Sequence, residues 1–270
     1  MYVDPHTHII PGIDDGAIDI RAASEMLRIA SAGGTAHIIA TPHFISGSIE
    51  NDASLIREKC GELQRLANNE GLDIVIHPGS EVFISPDIAE LYEKGIICTL
   101  NDSSYILIEL PVAGIPIYVD ELLYQLQLIG LTPILAHPER NRELQRDSDI
   151  LVNLVKRGIL AQVNSGSITG VFGKKVYKTV MWFIRMGLIQ FVASDAHNCG
   201  RRSPELVKAE AIVRRRFGHD TAVRLFSQNG LEVLKNGIVP VHVNDKANGI
   251  NIFFNRIRNK GIYDKGGDDI

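Results

Sequence analysis

Residues 36–43 read AHIIATPH, and the way this short run is built decides the fold. Ile38, Ile39 and Ala40 follow one another without a polar break, so a strand here is covered on both faces, and the run ends on His43. Strands buried on both faces belong to parallel sheets, whose crossover connections lay helices over them. Six further runs share this design: YVDPH near the start, DIVIHPGSE (73–81), YILIEL (105–110), TPILAHPE (132–139), ILAQVNS (159–165) and LIQFVASDAH (188–197). Helical patterns separate them, near 19–32, 55–66, 87–94, 118–129, 147–157, 174–186 and 203–217. About seven βα units in one chain predict an α/β fold, a distorted seven-stranded (β/α) barrel, in preference to an open doubly wound sheet. The absence of a G-x-G-x-x-G or Walker loop also disfavours the nucleotide-binding open sheet.

The chain has 270 residues, 45% of them hydrophobic, enough for one large α/β domain with a sizeable core. Its formal net charge of -4 argues against nucleic acid as the main partner, because that binding needs a strong basic field. Cys60, Cys98 and Cys199 are odd in number and unpatterned, which points to a reducing compartment without structural disulfides. No charged-then-apolar leader and no run of about eighteen apolar residues occurs, so a cytoplasmic protein with no integral membrane segment is expected. Residues 1–240 are read as the barrel and 241–270 as a tail rich in Asn, Lys, Asp and Gly. Within the tail Ile250, Phe253, Phe254 and Ile257 recur at helical spacing, a candidate short amphipathic helix, read as docked on the barrel or on a neighbouring subunit in preference to capturing a membrane or a partner. An oligomer is therefore left open.

The ends of the strands carry the chemistry. His6 and His8 follow the first strand, and in extended chain residues two apart point to the same face, so they can grip one cation together. His43 follows the second strand, Glu81 the third, Glu109 the fourth and His137 the fifth, while Asp195 and His197 close the last. Asp15 lies in the loop after His8, and Asp4 stands behind the cluster. In a (β/α) barrel all these ends share one rim, where active sites assemble. Five imidazoles and four carboxylates cannot all pair among themselves, and an unpaired buried one is costly, so cations must settle the electrostatics. Nine candidate ligands exceed one tetrahedral zinc and point to two or three ions, with a carboxylate such as Glu81 bridging. Imidazole mixed with carboxylate and without thiolate suits manganese, iron or zinc. His37, His77, His219 and His242 fall outside the rim pattern and are read as ordinary histidines.

Clustered divalent ions bring a water near neutrality in pKa and neutralise charge on a phosphoryl or carbonyl oxygen, so hydrolysis is the expected reaction. Arg140 in HPER and Arg202 in HNCGRRSP accompany the rim, and a guanidinium binds phosphate bidentately, which favours phosphate esters over amides. A cysteine-dependent phosphatase loop would need Arg six residues after Cys199, and position 205 is Glu. No G-x-S-x-G elbow is present.

Together the H-x-H start, the lone His of TPH, Glu81 in GSEVF, His137 in AHPER and the D-x-H of SDAH resemble the polymerase and histidinol phosphatase (PHP) superfamily. More closely, DPHTHIIPGIDDG, TLNDSSYILIELP, AHPERN and QVNSGS look like the bacterial manganese-dependent tyrosine-protein phosphatases of capsule and exopolysaccharide synthesis, over roughly residues 1–240. This resemblance implies a distorted barrel around three ions: His6, His8, Glu81 and Asp195 holding one, Glu81, Glu109 and His137 a second, and Asp15, His43 and His197 the third. It implies manganese, a phosphotyrosine protein as substrate, a bacterial tyrosine kinase as partner, and Arg140 and Arg202 orienting the phosphate. Where small-phosphate members tend to have histidine, this chain has Asp15 and Glu109, which disfavours histidinol phosphate. The rival readings are a small-molecule phosphoesterase such as a histidinol phosphatase, a metal-dependent amidohydrolase, and a non-catalytic metal-containing binding module.

Overall fold

In the computed structural model, which describes residues 1–244, ten strands form in chain order. They are β1 (Tyr2–Thr7), β2 (Thr35–Ala40), β3 (His43–Ile45), β4 (Ile49–Glu50), β5 (Val75–Pro78), β6 (Glu81–Phe83), β7 (Tyr105–Glu109), β8 (Thr132–Ala136), β9 (Leu160–Asn164) and β10 (Phe191–Ala193). Two runs expected as single strands are each broken in two, AHIIATPH into β2 and β3, and DIVIHPGSE into β5 and β6. Pro42 explains the first break, since proline has no N–H to give to a ladder. The backbone repairs itself beyond it, with Glu81 N donating to Pro42 O at 3.1 Å.

The breaks divide the strands between two sheets, a three-stranded one in the order β1-β2-β5 and a seven-stranded one in the order β10-β9-β8-β7-β6-β3-β4. Every pairing is parallel except the β3–β4 hairpin, as strands apolar on both faces require. The expected seven-stranded barrel is thus right in its parallel α/β character and wrong in its closure. Where β1 meets β10 there is only an isolated Thr7–Ala196 bridge. Asp195 turns the chain just past β10 with φ at 51°, outside the range of a pleated strand, so no continuous ladder forms there. Single hydrogen bonds still tie the seam: Asp195 N donates to His6 O and His8 N to Ala196 O, both at 2.9 Å.

Helices cover the outer face. The helix Ile20–Ala32 is capped by Asp19, whose side chain accepts from Ala22 N, and buries Ala23, Met26, Leu27 and Ala30 at helical spacing. Asp52 caps Ala53–Asn69 in the same way through Leu55 N. Val119–Leu128, Lys174–Arg185 and Val207–Phe217 fall close to the bounds expected from the sequence. No helix among the described residues is long and apolar enough to cross a membrane. The amphipathic segment expected at 250–257 lies outside the described residues.

Side-chain alternation then sorts each strand into an outer and an inner face. Ile106 and Ile108 of β7 join the large core under the helices, while Tyr105 and Leu107 join an inner cluster with Ile39, Ile134, Leu160 and Phe191. The next inward position on β7 is Glu109, and on β9 the positions that follow Leu160 are Gln162 and Asn164. The pleat that buries the apolar interior therefore delivers polar side chains to the C-terminal rim.

Candidate metal centre

The rim gathers all nine residues the sequence singles out as ligands. His6 and His8 leave β1 on one face, both fully buried, with their Nε2 atoms 3.1 Å apart. Glu81 Oε2 lies 3.2 Å from His6 Nε2 and 3.1 Å from His8 Nε2, and Asp195 Oδ1 lies 3.4 and 3.5 Å from the same two atoms. Beside this group, His43 Nδ1 stands 3.1 Å from Glu81 Oε2 and 3.9 Å from Glu109 Oε2. His137 Nε2 is 2.9 Å from Glu81 Oε1 and 3.7 Å from Glu109 Oε1. On the other flank Asp15 Oδ1 approaches His43 Nε2 at 3.4 Å and His197 Nε2 at 3.2 Å. His6, His8 and Glu81, then His43, Glu81 and Glu109, then His8, Asp15, His43 and His197 each bring their donor atoms within 4.8 Å of one another.

These distances suit shared cations. Ligands bound at ~2.1 Å around one tetrahedral or octahedral ion lie roughly 3.0–3.4 Å from each other. Hydrogen bonding accounts for only part of the cluster, because Glu81 Oε2 and His43 Nδ1 are buried without a hydrogen-bond partner although they stand 3.1 Å apart. The His6 and His8 Nε2 atoms, 3.1 Å apart, can share a hydrogen bond, and the same spacing is that of two donors on one ion. The donor set, imidazole and carboxylate without thiolate, fits a divalent ion of the manganese, iron or zinc kind.

The ligand orientations are fixed from behind. His6 Nδ1 donates to Gln162 Oε1 at 2.8 Å, Gln162 Nε2 donates to Asn164 Oδ1 at 3.0 Å, and Asn164 Nδ2 donates to Asp195 Oδ2 at 2.6 Å. This chain puts the His6 proton on Nδ1 and turns Nε2 towards the centre, while Asp195 Oδ1 faces the same point and also accepts from Arg202. His8 Nδ1 is held by Asp14 Oδ2 at 2.7 Å, and the same carboxylate accepts from Gly16 N and His43 N at 2.9 and 3.0 Å. Gly16 is required there: a Cβ would stand 2.1 Å from His8 O.

Without ions the charges crowd. Burial opposes a charge on His8, but the neighbouring carboxylates of Asp14 and Glu81 win and push it up to about 10. Burial also resists ionisation of Glu81, which His6, His137 and His8 nevertheless hold well below the carboxylate range. Burial, and then the charge of Glu81, push Glu109 up to about 7, while burial and the charge of His8 draw His197 down to about 4. His137 and Asp195 also sit in the left-handed region, at φ 32° and 51°, strain of roughly 1–3 kcal/mol each that surrounding bonds must over-determine.

Both arginines converge on Asp195. Arg202 Nη2 stands 2.8 Å from Asp195 Oδ2 and donates to Oδ1 at 2.9 Å, and Arg140 Nη1 is 3.3 Å from Oδ2. Each guanidinium keeps about a quarter of its side chain exposed, 27% for Arg140 and 26% for Arg202, so both border the open side of the centre.

Sequence reading missed the residues that work from behind. Asp14 was passed over for its neighbour Asp15, although a histidine ligand needs a partner for its other nitrogen. Gln162 and Asn164 carried a usable signal, being two apart near the end of a strand. Glu139 is wholly buried under Asn164 N and Ser167 Oγ, which donate to it at 3.0 and 2.5 Å. Asp4 lies behind the centre, where its Oδ1 accepts from Ser194 N at 2.9 Å and burial pushes it up to about 6. His37 and His77 pair with each other at 3.1 Å and take no part in the cluster. Burial, and then Glu25, raise the Cys199 thiol above its ordinary value, which does not suit a nucleophile. Asp14→Ala is expected to weaken divalent-ion affinity about 10–100-fold, measured by equilibrium dialysis, with an unchanged far-UV spectrum. Unaltered affinity removes Asp14 from this role.

Residues 2–235 match the family model described as capsular polysaccharide synthesis, CpsB/CapC. The tyrosine-protein phosphatase YwqE of Bacillus subtilis is 38% identical over 234 residues, spanning 87% of this chain and 92% of that protein. The tyrosine-protein phosphatase CpsB of Streptococcus pneumoniae is 29% identical over 242 residues, 88% of this chain and 100% of that one. Among solved structures, one from a study of YwqE and CpsB, described as metal-dependent tyrosine phosphatases, superposes with a TM-score of 0.86 at 37% identity. That match covers 89% of this chain and 97% of the other. With the rim geometry and nearly the whole described length in agreement, the chain belongs to the CpsB/CapC family of capsular polysaccharide synthesis.

Proposed function

We propose that this protein is a metal-dependent protein-tyrosine phosphatase whose substrate is phosphotyrosine on a bacterial tyrosine kinase of capsular or exopolysaccharide synthesis. The observation that carries the reading is the set of donor atoms from His6, His8, Glu81 and Asp195 spaced at 3.1–3.5 Å, with two arginines on the same carboxylate. The names borne by its relatives support the substrate class. We assign three divalent ions, manganese by preference over iron or zinc: one to His6, His8, Glu81 and Asp195, one to Glu81, Glu109 and His137, and one to Asp15, His43 and His197. Residues 1–240 are taken as the catalytic unit and 241–270 as an appended tail, and the site of action as the cytoplasm.

Such ions, when bound, neutralise charge on the phosphoryl oxygens and bring a water's pKa near neutrality, so that water serves as the nucleophile. The remaining work belongs to the chain. Arg140 and Arg202 exchange one carboxylate oxygen of Asp195 for phosphate oxygens and fix the ester's orientation, a bidentate task that lysine performs poorly. Asp14, Gln162 and Asn164 keep the imidazoles and Asp195 from turning as the phosphate arrives. A phenol of pKa about 10 is a tolerable leaving group, so a dedicated acid is not obligatory, although an Asp or His of the rim can assist.

The test is phosphate release from phosphotyrosine, phosphoserine and phosphothreonine peptides and from histidinol phosphate, with and without a chelator. Turnover confined to phosphotyrosine, abolished by chelation and restored best by manganese, is the expected result. Preference for histidinol phosphate, or release that survives chelation, contradicts the reading.

A further inference from the structure

We infer that Phe172 is the wall against which the substrate's aromatic ring rests, so that the cavity beside the metal centre selects an aryl phosphate. This inference rests on the phosphotyrosine reading above and names the part of the site that accounts for it.

Phe172 is partly buried and stands one guanidinium away from the centre. Arg140 Cζ lies 5.2 Å from the centroid of its ring, and Nη1 of the same guanidinium lies 3.3 Å from Asp195 Oδ2. The ring lines a cavity of about 300 Å³ together with Ser165, Val171, Ser194 and Arg202. Arg202, which lines this cavity, also binds Asp195, and Ser194 on its wall directly precedes that residue, so the cavity adjoins the centre. Its volume suits a small ligand group, such sites beginning at about 300 Å³.

The ring's position is set from two sides. Arg140 holds it by a cation–π contact, and residue 166 presses against it so closely that a Cβ there would meet Phe172 Cε2 at 2.8 Å. Gly166 thus admits the ring where any larger residue would displace it. A phosphate seated on Arg140 and Arg202 directs its ester group outward, along this wall. A phenyl ring reaches Phe172 and pairs with it in an offset or edge-to-face manner, whereas the short aliphatic stem of phosphoserine does not. Arg140 then has two tasks, on the phosphate and under the aromatic wall.

The experiment is calorimetric titration of the manganese-loaded full chain with phenylphosphonate and methylphosphonate, which share the anionic head and differ in the ring. Wild-type protein is expected to bind phenylphosphonate more tightly. Phe172→Ala should weaken phenylphosphonate about tenfold, ~1.4 kcal/mol, and leave methylphosphonate within about twofold. Gly166→Ala, which moves the ring while keeping both Phe172 and Arg140, should weaken phenylphosphonate about threefold and spare methylphosphonate, at about half that free energy. Equal binding of the two probes by wild-type protein overturns the inference. So does an equal loss for both probes in Phe172→Ala, because Phe172 would then act only through Arg140, and so does no loss in either variant. No turnover is needed for this measurement, so a chain that fails to hydrolyse phosphotyrosine sinks the phosphatase reading alone, and the phenyl preference is judged separately.

Discussion

Asp195→Ala is expected to lower turnover of a phosphotyrosine peptide by about 10³-fold or more, the largest effect of any single change outside the fold's core. Three losses coincide at this residue. Its Oδ1 is 3.4 and 3.5 Å from the Nε2 atoms of His6 and His8, so the proposed metal site loses one donor. Its Oδ2 anchors Arg140 and Arg202, so both guanidiniums lose the partner that aims them. It also ends the hydrogen-bonded chain that runs from His6 through Gln162 and Asn164. The fold should survive with some loss of stability: the partly exposed arginines can turn to water, but buried Asn164 Nδ2 loses its acceptor. The measurement is steady-state phosphate release beside metal content and the thermal transition. A variant that retains more than a tenth of the turnover contradicts the role given to Asp195.

Glu81→Ala is expected to abolish activity to a similar extent and to destabilise the protein more than Asp195→Ala does. Glu81 is the hub, within 3.2 Å of His6, His8, His43 and His137 and fully buried. In metal-free protein it is the counter-charge for a His8 that the neighbouring carboxylates of Asp14 and Glu81 push up to about 10. Removing one partner of a buried ion pair costs about 3–5 kcal/mol, or roughly 10 °C in Tm for a chain of this size. Glu81→Gln should recover part of that stability, since the amide still fills the space, but not the activity, since it lacks the charge. Thermal melts in the presence of chelator decide the matter: an unchanged Tm in Glu81→Ala shows that the histidines settle their charge without it.

Much of this site was legible in the chain before any coordinates. Runs such as TPILAHPE and LIQFVASDAH are apolar on both faces, which dictates parallel pairing, and parallel pairing puts every strand's C-terminal end on one side. His6, His8, Asp15, His43, Glu81, Glu109, His137, Asp195 and His197 could thus be brought together by topology alone. The open seam between β1 and β10 was not legible, because it depends on the backbone of Asp195 entering the left-handed region, and nothing in SDAH announces that. The break at Pro42 was legible in principle and was passed over, because TPH reads naturally as the end of an intact strand.

Sequence by itself determined the alternation of strands and helices, the rim that follows from it, and which imidazoles and carboxylates stand at the strand ends, since hydrophobic period and residue type act locally and survive in a linear reading. Tertiary structure alone decided which oxygen faces which nitrogen: that Asp14, not Asp15, supports His8, that Gln162 and Asn164 tie His6 to Asp195, and that Arg140 lies on Phe172. Those pairings join residues up to 156 positions apart, and a hydrogen bond is made or lost within about half an ångström, a tolerance that no one-dimensional pattern encodes.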